Sequence, residues 1–340
     1  MTELLTYDFM QRALLAAVLV GLVAPLVGVF LVQRRLSLIG DGMGHVALAG
    51  VAVGLLTNVS PVWAALVAAV VAAVAIELIR ASGRTQGDVA LAVIFYGGIA
   101  AGVVIISKSA QGTPANLTAY LFGAITTVKA SDLWVFVVLA VLVILTTWVL
   151  RPRFFAVASD EEYARATGMP VLGLNITLAV LTAVTVVVSM RIVGLLLISA
   201  LMIVPNAAAQ LLGSSFRSTM RLAVVIGLVC AVVGVVVSYE ADTPSGGTIV
   251  VLAIVVFVVA SVGRAVVTRV AARRHERAET HAHEHGPECG HPAVPHHGHV
   301  DYLHDGHRHA PHEGHYDEHD LASHPDTERA HSGAGEAGQP

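Results

Sequence analysis

Residues 9–35 read Phe-Met-Gln-Arg-Ala-Leu-Leu-Ala-Ala-Val-Leu-Val-Gly-Leu-Val-Ala-Pro-Leu-Val-Gly-Val-Phe-Leu-Val-Gln-Arg-Arg, an apolar run of 24 residues (9–32) closed by two arginines. A helix needs about twenty apolar residues to cross a bilayer core, so this run is long enough to span. A secretory leader would carry a basic start and a small-residue cleavage site. This run has neither and is read as a retained helix. Runs of similar length recur along the chain. Together with this one they predict nine spans at about 9–32, 37–57, 61–80, 88–107, 131–150, 171–190, 193–212, 220–239 and 247–268. Helices satisfy every backbone amide without water. Membrane strands would alternate with period two, which Val250–Ala260 does not do. The fold class is therefore all-α: a polytopic helical membrane protein with about nine transmembrane helices and a disordered His-rich C-terminal tail.

Composition agrees. Hydrophobic residues make up 55% of the 340 and charged residues 13%, against about 25% charged in soluble domains. The net charge of -4 conceals a division. Up to Arg274 there are 17 basic and 11 acidic residues, net +6; from His275 onward there are 3 and 13, net -10. Two domains follow, a transmembrane body at 1–270 and a tail at 271–340. Cys230 lies in an apolar run and Cys289 in the tail, which implies no disulfide framework.

Arginines orient the spans by the positive-inside rule. Arg34 with Arg35, Arg80 with Arg84, Arg151 with Arg153, Arg217 with Arg221, and Arg264 to Arg277 mark alternate loops. With nine spans these all face the cytoplasm. Lys108, Lys129 and Arg191 dissent singly. The amino terminus is then outside and the tail inside. Two loops exceed simple turns. Leu117–Thr127 is apolar but too short to span, the pattern of a re-entrant or interfacial helix. Ser159 followed by Glu162 is a capping-box spacing, and Gly168 before Pro170 is a stop; a short exposed helix is expected there. Pro205 and Pro25 should kink or break their helices. Glycine pairs such as Gly50 and Gly54, or Gly98 and Gly102, suit close helix packing.

One histidine, His45, lies in the membrane body, four residues after Asp41. That spacing puts both side chains on one helical face, within reach of a common ion. Imidazole plus carboxylate suits zinc, manganese or ferrous iron, and ionisable groups in lipid are functional candidates by default. The competing reading is a structural Asp–His hydrogen bond. Two ligands are too few for a tight site but enough for a transient one, and a homodimer would add a second pair. Gly40, Gly42 and Gly44 would let neighbouring backbone approach. Glu77 and Arg80 look like a local ion pair, Asp88 stands where an N-cap is wanted, and Asn206 with Gln210 could line a path or join helices.

Sixteen histidines fall between His275 and His331. They cluster as His281, His283, His285; His296, His297, His299; and His304, His307, His309; His312, His315 and His319 follow, with no fixed period apparent. Such a segment cannot bury an apolar core. Its imidazoles with nearby carboxylates suit zinc, nickel or copper weakly, as a buffer or sensor. No GxxxxGK[ST] loop, HExxH or GxSxG occurs, so neither nucleotide hydrolysis nor intramembrane proteolysis has support. No permanently bound cofactor and no nucleic-acid partner are expected.

Several segments in order carry a family resemblance. They are Gly28-Val-Phe-Leu-Val-Gln-Arg-Arg-Leu-Ser-Leu-Ile-Gly-Asp-Gly-Met-Gly-His45, Gly87-Asp-Val-Ala-Leu-Ala-Val-Ile94, Tyr120-Leu-Phe-Gly123, Asp160-Glu-Glu-Tyr-Ala-Arg-Ala-Thr-Gly168, Arg191-Ile-Val-Gly-Leu-Leu-Leu-Ile-Ser-Ala-Leu-Met-Ile-Val-Pro205 and Asp242-Thr-Pro-Ser-Gly246. Over about residues 10–268 the chain resembles the permeases of metal-type ABC importers, the zinc and manganese uptake class of type II architecture. The resemblance implies a non-enzymatic transport subunit in the cytoplasmic (inner) membrane. It implies a homodimeric pore, a separate cytoplasmic ATPase that hydrolyses ATP, and an extracytoplasmic metal-binding protein. Asp41 and His45 match the intramembrane ligands. Asp160, Glu161, Glu162, Tyr163, Ala164, Arg165, Ala166, Thr167 and Gly168 match the helix that couples to the ATPase. Zinc import leads, with manganese or iron as the alternative cargo. A secondary transporter or a membrane-anchored metal sensor is the alternative from another class. The first would call for inverted repeats, and none is evident.

Overall fold

A computed structural model describes residues 6–83, 87–108, 121–123, 130–190, 193–195, 197–279, 290–296, 299–304, 307–312 and 315–319. Ten helices occur among them. They are α1 (Asp8–Gln33), α2 (Ile39–Thr57), α3 (Pro61–Ala81), α4 (Gly87–Ser107), α5 (Ala130–Ser159), α6 (Glu161–Ala166), α7 (Val171–Ser189), α8 (Ile198–Leu212), α9 (Phe216–Glu240) and α10 (Ser245–Glu279). Apart from the six-residue α6, eight are long and apolar enough to cross a membrane, and α8 is a shorter apolar helix. The polytopic helical class stands. The seventh expected span differs: it begins at Ile198, not 193. Gly194 has a φ of +86°, a left-handed conformation that a helix cannot contain. At 15 residues α8 covers about 22 Å, less than the roughly 30 Å of a bilayer core.

Three other expectations need correction. The loop expected from 151 is helical to Ser159, because α5 runs on through Pro152. Likewise a break, one of the two outcomes expected at Pro25 and Pro205, does not occur, since α1 and α8 continue through them. The last helix extends nine residues past 270, over Ala271–Glu279, where Ala, Arg and Glu favour helix. Leu117–Thr127 falls almost wholly outside the described residues, as do His281, His283, His285 and His297.

The chain divides into two compact units, Met1–Arg264 and Ala265–Pro340. In the first, α7 is the most buried span, whereas α4, α5 and α10 present most of their surface outward. The long α1 lies against α5, α7, α8 and α9, and α2 lies against α3, α4, α7 and α8. In the second unit, composition predicted disorder, but four strands form an antiparallel meander in the order β1-β2-β3-β4: β1 (Ala293–His296), β2 (His299–His304), β3 (His307–His312) and β4 (His315–His319). Backbone pairing joins these strands. Tyr302 is the one buried hydrophobic residue among the described tail side chains.

Close backbone approach fixes the broken span. A Cβ on Gly246 would lie 1.9 Å from the Val193 carbonyl oxygen and 2.6 Å from that of Phe122, and one on Gly194 would lie 2.3 Å from the Leu121 oxygen. Three stretches far apart in sequence thus meet where only hydrogen fits. Gly247, the next residue, has nothing within 4 Å of such an atom. Gly246→Ala should therefore cost about 1–3 kcal/mol by overpacking and lower the melting temperature in detergent. Gly247→Ala should be neutral or slightly stabilising, since alanine favours helix by about 1 kcal/mol over glycine. Equal melting temperatures for the two variants would show that these contacts do not constrain the fold.

Candidate functional site

Asp41 sits in the first turn of α2 and His45 one turn on, both half-buried. The glycines between and beside them admit neighbours. A Cβ on Gly44 would lie 2.7 Å from the Leu195 carbonyl oxygen, and one on Gly40 3.4 Å from the Ser199 Cβ. The interrupted span is thereby drawn against α2. At its helical start the Ser199 hydroxyl donates a hydrogen bond to Asp41 Oδ1. On the other side α4 closes in: Gly98 packs on the His45 backbone, and the Phe95 ring meets the imidazole edge-on with centroids 4.4 Å apart. Asp41 is thus bonded to a serine, and the Asp–His hydrogen bond of the competing reading is not among the bonds found between described residues. One carboxylate oxygen engages Ser199, leaving the other and the imidazole as oxygen and nitrogen donors on one face. No group of three His, Cys, Asp or Glu side chains converges among the described residues.

Ser199 is the residue that sequence reading missed. A serine inside Leu-Ile-Ser-Ala carries no local signal, and its role depends on where Gly194 turns the chain. Asn206, left open between pore lining and helix joining, resolves to the second. Its Nδ2 donates to the Pro25 oxygen at 2.9 Å and to the Met202 oxygen at 2.7 Å, fully buried.

The predicted exposed helix is α6, but its cap differs. Asp160, not Ser159, is the N-cap: its carboxylate accepts from the Tyr163 N–H at 2.8 Å, while Ser159 ends α5. Thr167 and Gly168, at φ +78°, stop the helix as expected. Ala164 is fully buried beneath it, while Tyr163 is exposed.

What anchors α6 is Arg34, which sequence reading used only as a topology marker. Its guanidinium, 7% exposed, donates to Glu161 Oε2 at 2.8 Å and to Asn175 Oδ1 at 2.7 Å. One planar fork thus ties the end of α1 to both α6 and α7. Burial pulls this guanidinium below its ordinary pKa, and Glu161 opposes that pull. Glu161 also accepts from Arg165 at 2.9 Å. Nearby, Arg80 donates to the buried Glu77 at 2.7 Å, the ion pair expected from their spacing. Glu77, Arg80, Glu161 and Arg165 line a polar cavity of about 620 Å³ together with Val171 and Asn175. Asp88 is the second residue of α4.

The basic clusters gather at the same end. Phe30 stacks near Phe154 and Phe216, with centroids 5.4 and 5.6 Å away. Arg151 and Arg217 line one cavity, and Arg264 donates to the Leu211 carbonyl at 3.1 Å.

Comparison with known proteins gives these features a context. The model of the ABC 3 transport family matches residues 6–264. The chain is 32% identical over 258 residues to the manganese transport system membrane protein MntC of Halalkalibacterium halodurans, covering 76% of this chain and 88% of that one. It is 30% identical over 259 residues to the chelated iron transport system membrane protein YfeD of Yersinia pestis, covering 76% and 86%. Among solved structures it resembles PsaBC from Streptococcus pneumoniae in complex with Fab, with a TM-score of 0.68, 30% identity, and coverage of 76% and 92%. The chain therefore belongs to the ABC 3 transport family, as a multi-pass membrane permease and not an enzyme.

Proposed function

We propose that this permease passes a divalent transition-metal ion inward through Asp41 and His45, driven by an ATPase that docks on α6. The observation that carries the reading is the paired donors on α2, half-buried and reached by Ser199 from an interrupted span. An imidazole nitrogen and a carboxylate oxygen suit zinc, manganese and ferrous iron. Half-burial in one chain leaves room for a second copy to complete the site across a two-fold axis. Zinc is the leading cargo, on the strength of the histidine tail, which would buffer ions as they arrive. Manganese is the second reading, favoured by the relative named for manganese transport.

The gathering of Arg34, Arg80, Arg151, Arg217 and Arg264 near one end supports placing that end, with α6 and the tail, in the cytoplasm. A binding protein would then deliver metal from the opposite side. Nucleotide-driven movement of α6 would reach the transmembrane body through Arg34. That residue joins it directly to α1, whose end lies a short turn before Asp41, and to α7, the most buried span.

Uptake by vesicles holding the permease with its ATPase and binding protein tests the pathway. Asp41→Ala and His45→Ala should each reduce ATP-dependent zinc accumulation at least tenfold at normal expression. Normal transport by both would overturn the pathway, and faster manganese than zinc uptake by the wild type would reverse the order of cargoes.

The Arg34 tether has its own test. Arg34→Ala should cost about 1–3 kcal/mol by leaving the buried Asn175 side-chain oxygen without its donor. It should also lower metal moved per ATP hydrolysed while hydrolysis persists. Arg34→Lys should recover this ratio only in part, because an ammonium lacks the planar fork that serves two acceptors. Unchanged coupling in Arg34→Ala would show the contact to be structural only.

A further inference from the structure

Two helices that lie against α1, namely α5 and α9, each carry an arginine at the edge of an uncharged stretch. In α5 the 18 residues 133–150 hold no charge, and Arg151 follows them. In α9 the 18 residues 222–239 hold none, and Arg217 and Arg221 precede them. At 1.5 Å per residue each stretch covers about 27 Å, close to the thickness of a bilayer core. Arg151 and Arg217 line one cavity, so the two stretches reach the membrane surface at one level, that of the lipid phosphates.

That cavity, of about 420 Å³, has two kinds of wall. Arg151, Arg217 and Ser215 form the polar one; Pro152, Phe155 and Phe216 form the apolar one. Rings hold the apolar wall in place. Phe216 packs on Phe155 with centroids 4.6 Å apart and on Phe30 at 5.6 Å, and Phe30 packs on the buried Phe154. The polar wall is unmatched in charge. Arg34, Arg80 and Arg165 each pair with a glutamate, whereas neither Arg151 nor Arg217 forms an ion pair among the described residues. No carboxylate lines the cavity among them either. The apolar wall also continues along α5. Trp134, Val138, Val141, Leu145 and Trp148 are all exposed and recur every three or four residues, which puts them on one face. The same spacing carries that face on to Pro152 and Phe155 in the cavity wall. Trp148, one turn before Pro152, stands where indole rings gather in membranes, at the interface.

We propose that this cavity binds the phosphate of an acidic phospholipid whose acyl chain lies along the outward stripe of α5. Two guanidiniums offer the planar donors that phosphate oxygens accept, and basic pockets between transmembrane helices suit anionic headgroups. A free phosphate would leave the stripe uncovered and gain nothing from the rings. A zwitterionic lipid would set an ammonium against two guanidiniums. The site stands apart from Asp41 and His45 and does not depend on their role in the pathway.

The test uses the full-length protein with Trp63→Phe and Trp134→Phe, so that Trp148 alone fluoresces, reconstituted in phosphatidylcholine vesicles. Phosphatidylglycerol or phosphatidylcholine brominated on its acyl chains is then added, and quenching reads occupancy beside Trp148. Phosphatidylglycerol should win this place by at least about fivefold, the effect of one arginine near a charged surface. Arg151→Gln with Arg217→Gln should erase the preference. Arg12→Gln with Arg269→Gln, which removes the same charge elsewhere, should keep it. Quenching by brominated phosphatidylcholine should be the same in all three proteins, which checks that each is folded and inserted. No preference in the wild type, or a full preference in the Arg151 and Arg217 variant, would overturn the site. Loss of the wild-type preference on adding inorganic phosphate would overturn it in favour of a free anion. Unchanged lipid preference with lost co-purification of the ATPase in the Arg151 and Arg217 variant would overturn it in favour of an acidic segment of that partner.

Discussion

Backbone polar groups have no water to turn to inside a bilayer, and the interruption before α8 must obey that constraint. Non-helical backbone at membrane depth is tolerated where protein buries it. Val193, Leu195 and Ile198 are almost wholly buried, and the stretch is enclosed by α2 at Gly44, by Leu121–Gly123 and by the start of α10 at Gly246. Each contact is backbone against glycine. A side chain at any of these positions would push the segment outward and carry Ser199 away from Asp41. The geometry of the proposed pathway therefore rests on a set of missing Cβ atoms, and it is the interruption itself that turns a serine toward a carboxylate on another helix.

The other end of the bundle answers a different constraint. Burying a guanidinium is costly unless its donors are matched, and Arg34 meets this by spending its fork on two helices at once. Glu161 is shared with Arg165 of the same helix, so the polar tie from α6 to the bundle runs through Arg34, while the outward face of α6, with Tyr163 exposed, remains available. A coupling element needs this combination. A helix without a buried anchor would move without moving the bundle. A helix buried on every face would offer nothing to a partner.

The class of fold was legible because apolar length is a local property: each span announces itself without reference to any other. The placement of Asp41 and His45 one turn apart on one helix was legible for the same reason, since it depends only on helical pitch. Ser199 and Arg34 were not. Their importance comes from partners 158 and 127 residues away in the chain, and no local pattern encodes such a meeting. The cap of α6 was placed one residue early, because Ser159 and Asp160 are both good caps and only the continuation of α5 through Pro152 decides between them.

The proposed pathway makes a demand of its own, and its ligand set matches that demand. An ion in transit must be bound well enough to enter and weakly enough to leave. Asp41 with one oxygen engaged by Ser199, together with a single imidazole, gives a chain only two donors. A second copy across a two-fold axis would raise this to four, and separating the copies would halve it again. Affinity at the pathway would then be a property of the assembly, adjustable by the motion that α6 and Arg34 transmit.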